Sequence, residues 1–224
     1  MTMKLKNYAM ALMVGTGLMG VNAPAQAADL EIGADMGVYS QYVWRGQAQG
    51  GGQSSVQGDF VTSFNDNLSA NVWYATLGSG NTTEFDYTVD YSGEMDDIGY
   101  SLGVIAYRFH NNSTANTEEV YAGVSYDVAS ATLYYDNNSK NIWVDFSAGT
   151  ELQGYAIDGT LSYNMPKDTT AAKREFVNLS VGISKDIEIG DTVMSPSFGY
   201  NYHMGALKSA ATPDALVFGL NFAY

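Results

Sequence analysis

The chain has no cysteine and only two histidines in 224 residues. The first absence removes disulfides, thiolate metal sites and cysteine nucleophiles. The second leaves His110 and His203 as the sole imidazoles for acid–base chemistry. Basic residues are also scarce, ten against 24 acids for a formal net charge of −14. Binding to a phosphate backbone needs clustered Lys and Arg, so nucleic acid is not an expected partner. No stretch beyond the N-terminus carries the 3.6-residue apolar stripe of an amphipathic helix.

The N-terminus reads as a secretory signal. Lys4 and Lys6 supply a positive region, Ala9 to Val21 an apolar run, and Ala25-Gln26-Ala27 a small-x-small cleavage site. A membrane anchor is the alternative, but it needs roughly 20 apolar residues, and Asn22 and Pro24 end the run early. Residues 1–27 are therefore expected to be a signal peptide and residues 28–224 the mature domain. Losing the signal removes two lysines and no acid, so the mature part is more acidic still.

What fills the mature part is alternation. Leu30, Ile32, Ala34, Met36, Val38, Ser40, Tyr42 and Trp44 fall on one parity; Glu31, Gly33, Asp35, Gly37, Tyr39, Gln41 and Arg45 fall on the other. Similar period-2 segments recur near 55–64, 68–77, 84–92, 98–109, 118–126, 130–135, 141–150, 155–163, 175–184, 193–202 and 215–224. The total of twelve is even, as an all-β, up-and-down antiparallel transmembrane barrel with both termini on one side requires. The short seventh segment and the third connection leave ten or fourteen strands also compatible, and a soluble β-sandwich shares the composition. The connections alternate in length. Asn65 to Asn67, Gly93 to Asp97, Asp127 to Ala129, Glu151 to Gly154 and Lys185 to Asp191 read as short periplasmic turns. Gly46 to Ser54, His110 to Thr117, Asn164 to Arg174 and His203 to Asp214 read as longer outer loops.

Parity also sorts the charges. Phe85, Tyr87, Val89 and Tyr91 oppose Glu84, Asp86, Thr88 and Asp90; Ile142, Val144, Phe146 and Ala148 oppose Asp145, Ser147 and Gly149. A carboxylate facing lipid is costly, so the acids are assigned to the lumen. Tyrosine and tryptophan near strand ends, from Tyr42 and Trp44 through Tyr74, Tyr91, Tyr100, Tyr126, Tyr135, Tyr155, Tyr163 and Tyr202 to Tyr224, read as interfacial girdles.

Two resemblances sharpen this. Gly219, Phe222 and Tyr224 resemble the Gly-x-x-aromatic-x-aromatic terminus of bacterial outer-membrane barrels, the signal for the barrel-assembly machinery. Ser40-Gln41-Tyr42-Val43-Trp44-Arg45-Gly46-Gln47-Ala48-Gln49, followed by Val56-Gln57-Gly58-Asp59-Phe60, resembles the first hairpin of the TorF-type porin family, and Glu119-Val120-Tyr121-Ala122-Gly123-Val124-Ser125-Tyr126 resembles a later strand of that family. The resemblance implies a porin-like barrel in the outer membrane of a Gram-negative bacterium. Its implied partners are lipid, lipopolysaccharide, the assembly machinery and small solutes or cations; it supplies no catalytic residues, metal or cofactor.

The expected pore lining is Glu31, Asp35, Asp59, Glu84, Asp86, Asp90, Asp145 and Asp158 against Arg45. Such a wall concentrates cations. With bulky Trp73, Tyr107, Tyr121 and Trp143 on the same parity, the passage is narrow, or else the interior is plugged. Arg45 either bridges wall carboxylates and narrows the passage or pins the Gly-rich loop to the rim. The different-class alternatives are a structural or adhesive barrel, with Lys167, Lys173, Arg174 and Lys208 on its loops, and an outer-membrane lipid hydrolase using His110 or His203. No Gly-x-Ser-x-Gly elbow is present for the latter, and an enzyme is not expected. Asp136-Asn137-Asn138-Ser139 has calcium-type oxygens without calcium-loop spacing and reads as a tight outer loop.

Overall fold

The computed structural model describes residues 31–224 apart from 79–81, 171–172 and 206–213. The expected signal peptide and Lys208 lie outside the described residues. Twelve strands form the wall: Glu31–Tyr39, Ser55–Ser63, Leu68–Leu77, Thr82–Met95, Ile98–His110, Thr117–Tyr126, Ala129–Asp136, Ile142–Leu152, Tyr155–Met165, Glu175–Ser184, Thr192–His203 and Ala215–Ala223. Each pairs antiparallel with the next, and the twelfth pairs with the first from Asp35↔Ala223 to Tyr39↔Gly219. The sheet thus closes on itself, as a wall in hydrocarbon must, because an open edge would strand backbone donors and acceptors away from water.

Alternation explains which way each side chain points. On the fourth strand Glu84, Asp86 and Thr88 are buried inside, whereas Tyr87, Val89 and Tyr91 are about half exposed outside. Outward residues around the ring include Ile32, Met36, Leu102, Val104, Val124, Phe146 and Phe218, the apolar belt of a membrane-spanning barrel. The buried core lies inside the wall. Ile105, Tyr107, Tyr121, Tyr134, Trp143 and Val177, from five strands, pack as one cluster in the lumen.

The short connections are tight because their residues accept left-handed backbone. Asp96, Asp127 and Gln153, with Gly154, have positive φ at two-residue hairpin turns. Pairing therefore runs to Met95↔Ile98, and the turn expected from Gly93 to Asp97 shrinks to Asp96 and Asp97. Lys185 to Asp191 contains a further short strand, Ile187–Ile189, folded onto the start of the eleventh. The Asp136 loop is a tight turn: Asp136 Oδ1 accepts the backbone N–H of Asn138 at 2.8 Å and of Ser139 at 2.6 Å. At the seam, a Cβ on Gly219 would lie 2.6 Å from the Tyr39 ring, so the closing strand needs a glycine where that ring crosses it.

Placing arginine at Val89, mid-strand on the outer face, is expected to lower barrel stability by roughly 2–4 kcal/mol, while arginine at the inward-facing Ser101 has a much smaller effect. Urea titration in lipid vesicles, followed by heat-modifiable migration, reads the difference.

Candidate functional site: a hairpin locked inside the lumen

The first connection does not stand outside the barrel. After Tyr39 the chain leaves the sheet at Ser40, whose N–H donates to the Phe218 carbonyl at 2.8 Å and whose hydroxyl accepts the Phe218 N–H at 2.9 Å. The Gln41 side chain donates to the Leu216 carbonyl at 2.7 Å. The backbone then folds inward as a small hairpin in which Val43–Trp44 pairs with Gln47–Ala48, closed by the Gln49 N–H on the Tyr42 carbonyl at 2.8 Å. Its tip is Arg45-Gly46, with φ of 47° and 78°. Two left-handed residues in succession make the tightest type of hairpin turn. The strain of an arginine there, of order 1–3 kcal/mol, must be met by what its side chain gains. Gly46 has a second reason to be glycine, because a Cβ would lie 2.7 Å from the Asn178 side chain.

The gain is a buried ion pair. Arg45 donates from both terminal nitrogens to Glu119, Nη1 to Oε1 at 2.7 Å and Nη2 to Oε2 at 2.8 Å. The two side chains are 3% and 1% exposed, so the pair is dry. The Tyr107 hydroxyl donates to Glu119 Oε2 at 2.9 Å. Three rings surround the guanidinium, with centroids 4.4 Å away for Trp44, 4.6 Å for Tyr134 and 5.2 Å for Trp143, within cation–π range. Burial alone would lower the pKa of Arg45; the Glu119 hydrogen bonds and neighbouring negative charge outweigh it, and the pKa lies above the usual arginine value.

From this centre the hairpin reaches most of the wall. Tyr42 packs on Trp73 of the third strand at 5.2 Å and meets Glu84 of the fourth. Val43 clusters with Tyr39, Ala215 and Val217 at the seam. The outer lumen is thereby filled by the protein's own first loop. This corrects two expectations. Tyr42 and Trp44 are lumen residues rather than girdle residues, because the strand ends three residues before Tyr42. Arg45 is neither in the first strand nor at the rim; it locks a hairpin to the sixth strand from inside.

Seven of the other eight expected lining residues fall where parity placed them. Asp35, Asp59, Glu84, Asp86, Asp90, Asp145 and Asp158 face inward, and Glu31 opens the first strand opposite Ser63. The acids form a belt rather than a scatter. Asp35 is directly opposite Asp59, and Trp73 separates Asp59 from Asp86 across adjacent strands. Asp86 lies in the field of Glu84, Glu119 and Asp59, and Asp145 in that of Arg45 and Glu119. Arg45 is the one arginine or lysine buried among the described residues. Those residues hold no cluster of three acids or histidines arranged to chelate a metal. His110 and His203 end the fifth and eleventh strands, half a ring apart; His110 is exposed and His203 buried. Parity reasoning missed Glu119 as the partner of Arg45. The available signal was a glutamate on the tyrosine-bearing parity of a strand already singled out by its motif.

A twelve-stranded closed barrel with an apolar outside and an acidic, loop-filled inside is the architecture of a transmembrane β-barrel. Residues 23–208 match the family described as Gcw_chp, a bacterial protein of unknown function, and the chain belongs to that family. Among solved structures it is similar to the KdgM porin at 10% identity and a TM-score of 0.57, covering 86% of this chain and 98% of that one. It is similar to the KdgM porin in complex with disordered oligogalacturonate at 10% identity and 0.56, with the same coverage. The outer membrane protein OprD from Pseudomonas aeruginosa aligns at 14% identity and 0.38, over 86% of this chain and 65% of that one. No curated protein matches the sequence.

Glu119→Gln keeps the shape of the lock and removes its charge. Leaving Arg45 unpaired is expected to cost the hairpin on the order of 3 kcal/mol, while the twelve-strand ladder stays closed. Arg45 is the only tryptic site between Lys6 and Arg108. Trypsin should therefore cut after Arg45 in the variant and leave that bond intact in the native protein, with heat-modifiable migration unchanged in both.

Proposed function

We propose that the protein is a porin-like barrel of the Gram-negative outer membrane whose narrow passage prefers cations, and that it is not an enzyme. The observation that carries this reading is the sign of the lumen. A belt of seven expected acids plus Glu119 faces inward, and Arg45 is its buried countercharge. Field lines focused between low-dielectric walls favour cations and repel anions. The likeness of the first hairpin to TorF-type porins supports the same reading. The oligogalacturonate of the KdgM complex is a polyanion, a charge that this acidic lumen disfavours. Lipid against the apolar belt, lipopolysaccharide against the outer-loop residues Lys167, Lys173 and Arg174, and the assembly machinery are the other partners of this reading.

The filled outer lumen favours a second reading, a barrel silent in its resting state that serves as a structural or adhesive surface. Planar-bilayer recording separates the two: steady openings support the passage, and silence in both the native protein and a variant lacking residues 43–48 supports the structural role.

Replacing Asp86, Asp90 and Asp145 together with Asn is expected to lower cation preference while the barrel still folds, since the amide keeps shape and hydrogen bonding without the charge. In the native protein the preference weakens as the screening length falls from ~10 Å at 0.1 M salt to ~3 Å at 1 M. Reversal potentials in a salt gradient check both; identical values for variant and native protein would exclude these acids from the conducting path.

A further inference from the structure

We propose that the cage holding Arg45 is itself a binding site for guanidinium-type organic cations, occupied in the closed barrel by the protein's own arginine and taken by a solute of the same chemistry when the hairpin withdraws. The proposal deepens the cation-passage reading and rests on it for the solute's role, though binding is read apart from conduction.

Most of the cage belongs to the wall and not to the hairpin. Tyr107, Glu119, Tyr134, Trp143 and Asp145 sit on four consecutive strands, the fifth to the eighth, and only Trp44 arrives with Arg45. Glu119 offers a carboxylate fork already matched to a planar guanidinium at 2.7 and 2.8 Å, with the Tyr107 hydroxyl fixing its orientation. Tyr134 and Trp143 present ring faces at 4.6 and 5.2 Å. That is a full recognition set for a delocalised cation, and less suited to a small, strongly hydrated ion that prefers water to aromatic faces.

Withdrawal of the hairpin leaves Glu119, with Asp145 in its field, without the buried counterion that Arg45 supplies. Two neighbouring carboxylates of one sign, left without their countercharge, attract a replacement cation. A cation that binds the vacated cage and not the filled one shifts the population towards the open state. The hairpin has the means to move. Two paired residues on each side hold it together, and it is followed by Gly50, Gly51 and Gly52, all with positive φ.

The test is guanidinium titration of refolded protein in lipid vesicles, read by tryptophan fluorescence, with potassium at matched ionic strength as control. In Arg45→Ala, which empties the cage, guanidinium at millimolar concentration is expected to give a saturable change that potassium does not. Adding Glu119→Gln should weaken it about tenfold or more, the loss of one charge-assisted fork. In the native protein the same guanidinium should speed tryptic cutting after Arg45, a measurement that stands even where Arg45→Ala fails to fold. No difference from potassium in either protein, or an unweakened response with Glu119→Gln, overturns the proposal. If guanidinium binds but bilayers stay silent, the site stands and the passage reading fails.

Discussion

Every backbone amide in the wall needs a partner inside the wall. That constraint decides most of the molecule, because hydrocarbon offers no substitute hydrogen bonds. It requires the twelfth strand to return to the first, and it holds each strand in a fixed register with two neighbours. Side chains are then divided into two sets that cannot mix. One set meets lipid and is apolar. The other meets the lumen, which takes the mid-strand acids such as Asp59, Asp86 and Asp145.

The lumen therefore inherits a problem that the ladder does not solve, a concentration of like charge in a confined space. The structure answers it locally. One arginine, carried in on a hairpin tip, neutralises the carboxylate nearest the aromatic cluster, while Asp35, Asp59 and Asp158 stay clear of the lock. The result is an interior with two characters: packed and aromatic around Arg45, acidic and lined with small residues such as Gly99 and Ser101 elsewhere. A passage reading and a plugged reading both arise from this division.

The wall was legible in the sequence because period-2 alternation is a direct image of the pleat, and acids sorted on one parity mark the inside. The facing of Asp86 or Val89 follows from that image, whereas the short seventh segment left the strand number open between ten and fourteen. The hairpin was not legible for the same reason. Ser40, Tyr42 and Trp44 continue the even parity of Ile32 to Val38 without a break, so the strand looked longer than it is. Aromatic residues suit an interfacial girdle and a packed lumen equally well, and alternation cannot tell them apart. What ends the strand is a side chain and backbone exchange with Phe218, a residue 178 positions away. Arg45-Gly46 as a left-handed turn pair was the local clue; its partner on the sixth strand left none nearby in sequence.

The wall and the lock differ in when they can form. Strands consecutive in the chain meet across a single connection, whereas Arg45 finds Glu119 across 74 residues of chain. The lock therefore has no partner until at least half the ring is in place, and the closing of such long loops comes late. A defect in the lock leaves the assembly line untouched and surfaces only in the finished barrel, as a correctly inserted protein with a loose interior.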